Sequence, residues 1–416
     1  MNHRRLSLVQ RLGALAIACW SASVVAAAAQ ANVGTGPLTG TLPESEPLAG
    51  TVSLGPVRLA PGLTIRELGW DSNIFGEPEN PREDYVASLV PDTSAFARLR
   101  YFKLAGYAGG DLRYYKNYQR ERSTGYLLQG RADILLSRLR PFVAGGRTKM
   151  RTRPNAEIDV RADRQETEVS GGVAFDVSRY GQIYAAASRF TTEFEDAFED
   201  NVALGPALNR DSYQYSGGVR TELTPLTALT LSGSYGEDQF HIEPRRNATS
   251  RSADATLRFS ADAIITGFAS VAFRDFTPVD SFVRGYRGLV WRVGLVYPLL
   301  EVGRFSFLAN RGNEYSFDIT EGYYLENTFA LGYTHRLFGH VDASVTGSKS
   351  IFDYGFTAAS PAREDKLDSV LGGVGYNLPN RTRISVNYEY SRRRSPQLAE
   401  RNYDRRRVFL AWNVAF

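Results

Sequence analysis

The chain holds one cysteine, Cys19, among its 416 residues. That cysteine sits in an N-terminal stretch that reads as a secretory signal, so the mature chain is expected to carry no thiol. A disulfide frame, a thiol nucleophile and cysteine-ligated zinc or iron–sulfur centres are thereby excluded. Histidine is nearly as scarce, with four residues. His3 belongs to the leader, and His241, His335 and His340 lie near strand ends or turns with no serine partner set. Nucleophile–base catalysis therefore has no constellation to stand on, and no enzyme, cofactor or metal site is expected. Lysine occurs only at 103, 116, 149, 349 and 366, so the net charge of +4 is carried by arginine. A basic balance can signal nucleic acid. No helix-turn-helix, zinc-finger or RNP pattern accompanies it, and no nucleic-acid partner is expected. Past the leader no apolar run reaches the ~18 residues of a membrane helix, and no segment sustains a helical period.

The leader has a positive start at His3, Arg4 and Arg5, an apolar stretch from Leu12 to Val25, and small residues from Ala26 to Ala31. Cleavage after Ala29 or Ala31 fits a signal peptide over 1–31. Residues 32–56, rich in Gly, Pro, Thr and Ser, read as a flexible periplasmic segment. From 57 to 416 the chain reads as strands alone.

The last strand is the plainest. Val408, Leu410, Trp412, Val414 and Phe416 share one side of an extended chain, and Arg407, Phe409, Ala411, Asn413 and Ala415 the other. The sequence ends on an aromatic with no polar tail. Trp412, Val414 and Phe416 resemble the C-terminal assembly signal of bacterial outer-membrane barrels, which implies the barrel-assembly machinery as a partner. The same two-residue period recurs in strands 10 and 17. Ile384, Val386, Tyr388 and Tyr390 oppose Arg383, Ser385, Asn387 and Glu389. Eighteen strands are expected, from 62–72 to 402–416, an even number as single-chain bacterial barrels require. Every second connection is tight, as at Ser137, Arg179 and Phe338-Gly339. The longer ones, at 73–82, 151–162, 195–209, 354–363 and 395–401, all fall on the other end. The expected fold is all-β: a transmembrane antiparallel barrel of the outer membrane with short periplasmic turns and longer extracellular loops.

A soluble sandwich would show the same period with its apolar face inward. An arginine facing the bilayer midplane costs about 2–4 kcal/mol, so in a membrane barrel the charged faces must point inward. Arg98, Arg100, Arg113, Arg131, Arg220, Arg258, Arg274, Arg292, Arg383 and Glu389 are the expected lumen-lining set. Two rim features stand apart. Glu193, Glu195, Asp196, Glu199 and Asp200 make an acidic loop, read as solvated or as a divalent-cation contact. Arg392, Arg393, Arg394, Arg401, Arg405, Arg406 and Arg407 crowd the last loop, read as a solvated rim or as a contact with lipid phosphates, lipopolysaccharide included, or with an anionic polymer.

The first strand ends in Gly69-Trp-Asp-Ser-Asn-Ile-Phe75, and the second opens Asp84-Tyr-Val-Ala-Ser-Leu-Val-Pro91. On this motif, Asp71, Ser72, Asn73, Ile74 and Phe75 above all, the chain resembles the putative β-barrel porin type 2 family. The resemblance implies an outer-membrane barrel associated with capsule or exopolysaccharide export, with a polysaccharide and its periplasmic export components as partners. It transfers no catalytic residue. From the residues themselves, Asp71, Ser72 and Asn73 are turn formers that shape the loop. Three functions stay open: a conduit for a secreted exopolysaccharide, which is the leading expectation; a passive porin for small anionic solutes; and a structural or adhesive barrel with a plugged lumen. No segment reads as folding into the pore to constrict it.

Overall fold

The computed structural model describes residues 52–416 apart from 154–156, 158–160, 196–197, 200–201, 301, 319–320, 358–361, 380–381 and 416. The leader, most of the segment that follows it and Phe416 lie outside the described residues. So do Asp196 and Asp200 of the acidic loop.

Eighteen long antiparallel strands form one closed sheet. They are β1 Val57–Asp71, β2 Asp84–Arg98, β3 Phe102–Tyr115, β4 Ser123–Ile134, β5 Leu139–Thr152, β6 Ala162–Asp176, β7 Gly181–Phe194, β8 Arg210–Thr224 and β9 Thr227–Phe240. The second half comprises β10 Ala248–Phe259, β11 Thr266–Pro278, β12 Tyr286–Leu299, β13 Gly303–Tyr315, β14 Tyr323–Phe338, β15 Val341–Asp353, β16 Glu364–Asn377, β17 Arg383–Arg394 and β18 Tyr403–Ala415. Each pairs with its sequence neighbour, and β18 returns to β1. Closure is what a membrane demands, since an open edge would leave N–H and C=O groups unpaired in hydrocarbon. A short piece, Val52–Leu54, folds back on the start of β1, so the order begins just before the expected barrel boundary.

Nine loops join the strands at one end: L1 72–83, L2 116–122, L3 153–161, L4 195–209, L5 241–247, L6 279–285, L7 316–322, L8 354–363 and L9 395–402. Eight connections at the other end are tight. The two-residue turn at Gly339-His340 has Gly339 at φ 51°, a left-handed conformation that glycine adopts without a Cβ penalty.

The register fixes inside and outside. Val219 pairs with Leu231, Leu231 with Ala255, and Ala255 with Val271, a row of apolar side chains open to the surroundings. Val219 is 48% and Leu231 53% exposed. One residue along, Ser232 and Asp254 pair on the opposite face, and Ser232 Oγ donates to Asp254 at 2.7 Å. The wall is thus apolar outward and polar inward, the inverse of a soluble sandwich and the arrangement a bilayer requires.

The closing seam shows a local device. Below it, Leu63 and Ile65 face out; above it, Leu68 and Trp70 do, with a bulge between. The extra residue aims both Arg66 and Glu67 inward. Leu63 pairs with Val414 and Ile65 with Trp412, the partner expected for the terminal strand.

Candidate functional site

Lumen-facing residues follow from the register. Val219, Val271, Val386 and Val408 are outward, so Arg220, Arg274, Arg292, Arg383 and Glu389 fall on the inner face, as do Arg98, Arg113, Arg131 and Arg258. Arg100 does not. It sits in the turn between β2 and β3, with its guanidinium 4.9 Å from the Tyr101 ring. A residue past the strand end has no inward parity to inherit.

Several lumen arginines are neutralised on the wall. Arg131 binds Asp133 at 2.7 Å, and Arg383 binds Asp342 at 2.7 Å. At the seam, Arg407 pairs with Glu67 at 2.6 Å and also with Glu389. Arg66 and Arg113 both reach Asp111, at 3.2 and 3.8 Å. No hairpin turn joins β18 to β1, and the Arg407–Glu67 pair braces that junction, the one the chain does not close covalently. Arg220, Arg274 and Arg292 differ: among the described residues none of them has a carboxylate within ion-pair distance. Arg274 and Arg292 stand on adjacent strands, and each lies within Coulombic reach of the inward Glu314.

The first-loop motif is stitched to the last strand. Asp71 is buried and takes two bonds from Arg405, with Nε at 2.9 Å from Oδ1. Its Oδ1 also accepts the Asn73 N–H at 3.0 Å. Asn73 Nδ2 donates to the Glu77 carbonyl at 2.8 Å, while its Oδ1 accepts the Glu77 N–H at 3.0 Å. Ser72 N–H donates to the Arg406 carbonyl at 2.9 Å, and Ser72 Oγ accepts the Arg406 N–H at 2.8 Å. Ile74 then packs, fully buried, on the inward Val86 and Tyr115. Phe75 meets Tyr118 edge-on at 5.1 Å, and Arg82 covers its other side at 4.0 Å. The motif therefore turns L1 inward over the mouth and anchors it to L9's strand.

The other loops also fold inward, which corrects the expectation of an unconstricted pore. β13 leaves β12 above Arg311, although β12 runs on to Tyr286 and β13 to Tyr315. The freed hairpin tip lies against the inner wall. Tyr315 contacts Phe240 of β9 at 4.8 Å and donates to Asp238 at 2.8 Å, and Tyr323 meets Phe276 of β11 at 4.9 Å. These partners sit up to four strands away, a distance bridged only across the lumen side. The five-residue helix α1, Leu204–Leu208 in L4, joins with Phe194 and Phe317 in a second apolar cluster. All four buried apolar clusters among the described residues lie at this end.

Glu157 of L3 is the hub, with no exposed surface. It accepts from Ser316 Oγ at 2.9 Å and from the Phe317 N–H at 3.0 Å. L3 and L7 stand eight strands apart in a ring of eighteen, so this bond crosses the mouth almost diametrically. Arg363 of L8 and Arg401 of L9 reach the same carboxylate at 3.8 and 3.6 Å, near the outer limit of an ion pair. Burial raises the Glu157 carboxyl above the usual glutamate range, and these long pairs and the hydrogen bonds only partly oppose it. Arg246 of L5 clamps two further loops. It donates to the Ala207 carbonyl of L4 and the Ser316 and Gly322 carbonyls of L7, the last at 3.0 Å. Burial pushes Arg246 down to about 10, which leaves it cationic at neutral pH. L6 joins through the Arg284 N–H to the Phe356 carbonyl of L8 at 2.6 Å. Arg161 of L3 donates to the Ile74 carbonyl at 2.7 Å and pairs with Glu121 of L2 at 3.4 Å. All nine loops are thus connected in one mesh across the mouth.

The basic crowd near L9 divides by strand parity. Arg393, Arg405 and Arg407 turn inward, Arg393 to Asp365 at 3.3 Å, and Arg401 enters the mesh. Arg392, Arg394 and Arg406 remain outside. In the acidic loop, Glu195 pairs with Lys149 at 2.8 Å and Glu193 accepts from Gln165 at 3.4 Å. Sequence reasoning missed the hub and the clamp. Glu157 and Arg246 carry no motif, and their partners are 159 and 70 residues away.

Among solved structures, the chain is similar to the Pseudomonas aeruginosa outer-membrane protein OpdK (10% identity, 86% of this chain and 99% of that one, TM-score 0.47). It is similar also to Pseudomonas aeruginosa OpdO (11%, 86% and 97%, 0.49). A BenF-like porin from Pseudomonas fluorescens Pf-5 is a third (9%, 87% and 100%, 0.47). No curated protein matches the chain significantly. Residues 52–416, the whole barrel, match the putative beta-barrel porin 2 family, and the chain belongs to that family of outer-membrane porins.

Proposed function

We propose that the protein is a diffusion porin for small anionic solutes, with its loop end facing outward. A loop mesh narrows the mouth, and an arginine-rich lumen below it favours anions. The observation that carries this reading is the pair Arg274 and Arg292, inward on adjacent strands with no carboxylate among the described residues at ion-pair distance from either. A cation held on a lumen wall with no carboxylate at ion-pair distance attracts a permeant anion, whereas a paired one mainly keeps the wall polar. The mesh supports size restriction. Glu157 and Ser316 are both fully buried near the centre of the mouth, where an unobstructed barrel of this width would hold water.

The leading expectation of exopolysaccharide export rests on resemblance, and nothing in the lumen adds to it. A polysaccharide conduit would need the L3–L7 crossing to part for every chain. The proposal is tested in planar bilayers under a potassium chloride gradient. A reversal potential of the sign set by chloride is expected, moving toward zero in R274Q/R292Q. A folded protein that conducts nothing, or that prefers potassium, sinks the reading.

A further inference from the structure

The outward face at the loop end of β15–β18 carries cations that neither the lumen nor the mesh uses. Register aligns them in rows. Lys349, Asp368, Arg392 and Asp404 lie side by side across four strands. Lys366 and Arg394 pair two residues above on their strands, and Tyr390 and Arg406 pair below. Arg392 and Arg394 share one carboxylate, Asp404, at 3.9 and 2.8 Å. The Asp404 side chain also accepts from the Tyr390 hydroxyl at 2.7 Å. Lys349 and Lys366 each have a carboxylate of their own, Asp368 at 3.6 Å and Glu364 at 2.6 Å. Arg406 is exposed and binds none among the described residues. Cations are therefore in excess, and the excess is arginine.

The level of this patch matters as much as its charge. One row below Arg406 runs Tyr388, Val408, Trp70 and Tyr85, aligned by register, with Tyr388, Val408 and Tyr85 exposed and Trp70 half-buried. Such an aromatic row marks the edge of the hydrocarbon. Two residues up a strand is about 6–7 Å, less once tilted, so the guanidinium groups emerge where the phosphates of the outer leaflet lie. The strands are long enough to rise there: 13 residues in β15 and β18, 14 in β16 and 12 in β17, against the ~9–11 that cross the apolar core.

We propose that Arg392, Arg394 and Arg406 form an outward site for the phosphate groups of an outer-leaflet glycolipid, whose acyl chains lie along Tyr388, Val408 and Trp70. Guanidinium forks bind phosphate bidentately, and an arginine that shares its carboxylate or lacks one has donors to spare. The inference rests on the loop end facing outward and is independent of what passes through the lumen.

The test measures binding by native mass spectrometry on folded, detergent-solubilised protein, with heat-modifiable electrophoretic migration confirming the barrel. The probes are bisphosphorylated lipid A, the same lipid A dephosphorylated, and sodium phosphate. Wild type is expected to bind the bisphosphorylated lipid about a hundredfold more tightly than R392Q/R394Q/R406Q, from about a fivefold contribution per arginine near the surface. The variant should bind the two lipids alike. R189Q/R287Q, which removes exposed arginines elsewhere on the rim, should behave as wild type. Equal binding by wild type and the triple variant overturns the proposal, as does equal wild-type binding of the dephosphorylated lipid. Competition by millimolar phosphate as effective as by the lipid would make this a site for the free anion and overturn the lipid assignment. If the triple variant fails to fold, R406Q alone, which breaks no ion pair, takes its place. About a fivefold loss is then expected, and none refutes the site.

Discussion

Replacing Glu157 by alanine should unlatch the mouth without loosening the wall. The substitution removes the acceptor for Ser316 Oγ and for the Phe317 N–H, both within 3.0 Å. Hydrogen bonds to a charged acceptor contribute about 1.5–3 kcal/mol each. Against them stands the cost of keeping a carboxylate fully buried, several kcal/mol, which the substitution relieves. The two ion pairs add little, since Arg363 and Arg401 stand 3.8 and 3.6 Å away. Yet alanine leaves both guanidinium groups buried with one carboxylate fewer, and that penalty works toward opening. The net loss for the latched arrangement is about 2–4 kcal/mol. At 1.4 kcal/mol per decade, the latched-to-open ratio falls about thirtyfold to a thousandfold. Single-channel recording reads this directly, as a higher mean conductance and fewer long closures. The ladder bonds of β5, β6, β13 and β14 are untouched, so heat-modifiable migration should be that of wild type. S316A removes one donor and should fall between the two. A folded E157A barrel with wild-type conductance and dwell times would refute the assignment of Glu157 as the latch.

Acid should close the channel. The Glu157 carboxyl titrates above its ordinary value when the loops are packed, so the closed mesh binds a proton more tightly than open loops do. Closure is then favoured in full below about pH 4.5, the open-loop value, and the advantage is lost as pH rises through the raised value. Conductance recorded from pH 8 down to pH 4 should fall, and E157Q should flatten the profile; a rise on acidification would show the sign to be wrong. D71N leaves Arg405 buried beside a neutral amide at the seam, which costs about 3–5 kcal/mol for breaking one side of a buried pair; the urea midpoint of the folded barrel should drop, and an unchanged midpoint would remove Asp71 from the seam's support. L231R places a guanidinium on the lipid face mid-strand at a cost of about 2–4 kcal/mol, and refolding yield into bilayers should fall, whereas S232R on the inner face of the same strand should be tolerated.

The strands and their faces were legible because a bilayer imposes the same rule on every one of them. An outward charge costs energy at midplane whichever strand carries it, so Val386 and Tyr388 against Asn387 and Glu389 read correctly with no knowledge of neighbours. The closing partner of the last strand was legible for a related reason: ring closure leaves β18 no free edge except that of β1. The parity rule also has limits. It stops at the strand ends, so Arg100, two residues past the end of β2, does not take the wall position that parity predicts. It stops again at the bulge, where Leu63 and Ile65 give way to Leu68 and Trp70 as the outward set. That change of phase is written in the sequence, and it is what lets Arg66 and Glu67 both serve the lumen.

The mesh was not legible from loop sequence, because its contacts are set by ring geometry. Glu157 and Ser316 meet only because L3 and L7 project from opposite walls of one closed sheet. A trace of it does lie in the strands, as apolar residues on the wrong face. Tyr286 and Val290 share the parity of Arg292. Phe276 shares that of Arg274, and Phe352 that of Asp342. A water-filled lumen has no use for a tyrosine, a valine and two phenylalanines on its wall, so something apolar must cover them. All four stand toward the loop end of their strands, and Tyr286, Val290, Phe276 and Phe352 are buried under β13, β14 and L8 residues. The charged parity partners lie lower, where the lumen stays wet. In a barrel of this kind, the depth at which the inner face turns from apolar to charged marks the floor of whatever fills the mouth. Here that boundary runs between Val290 and Arg292 on β12, one inward position apart, which places the lumen arginines directly beneath the plug.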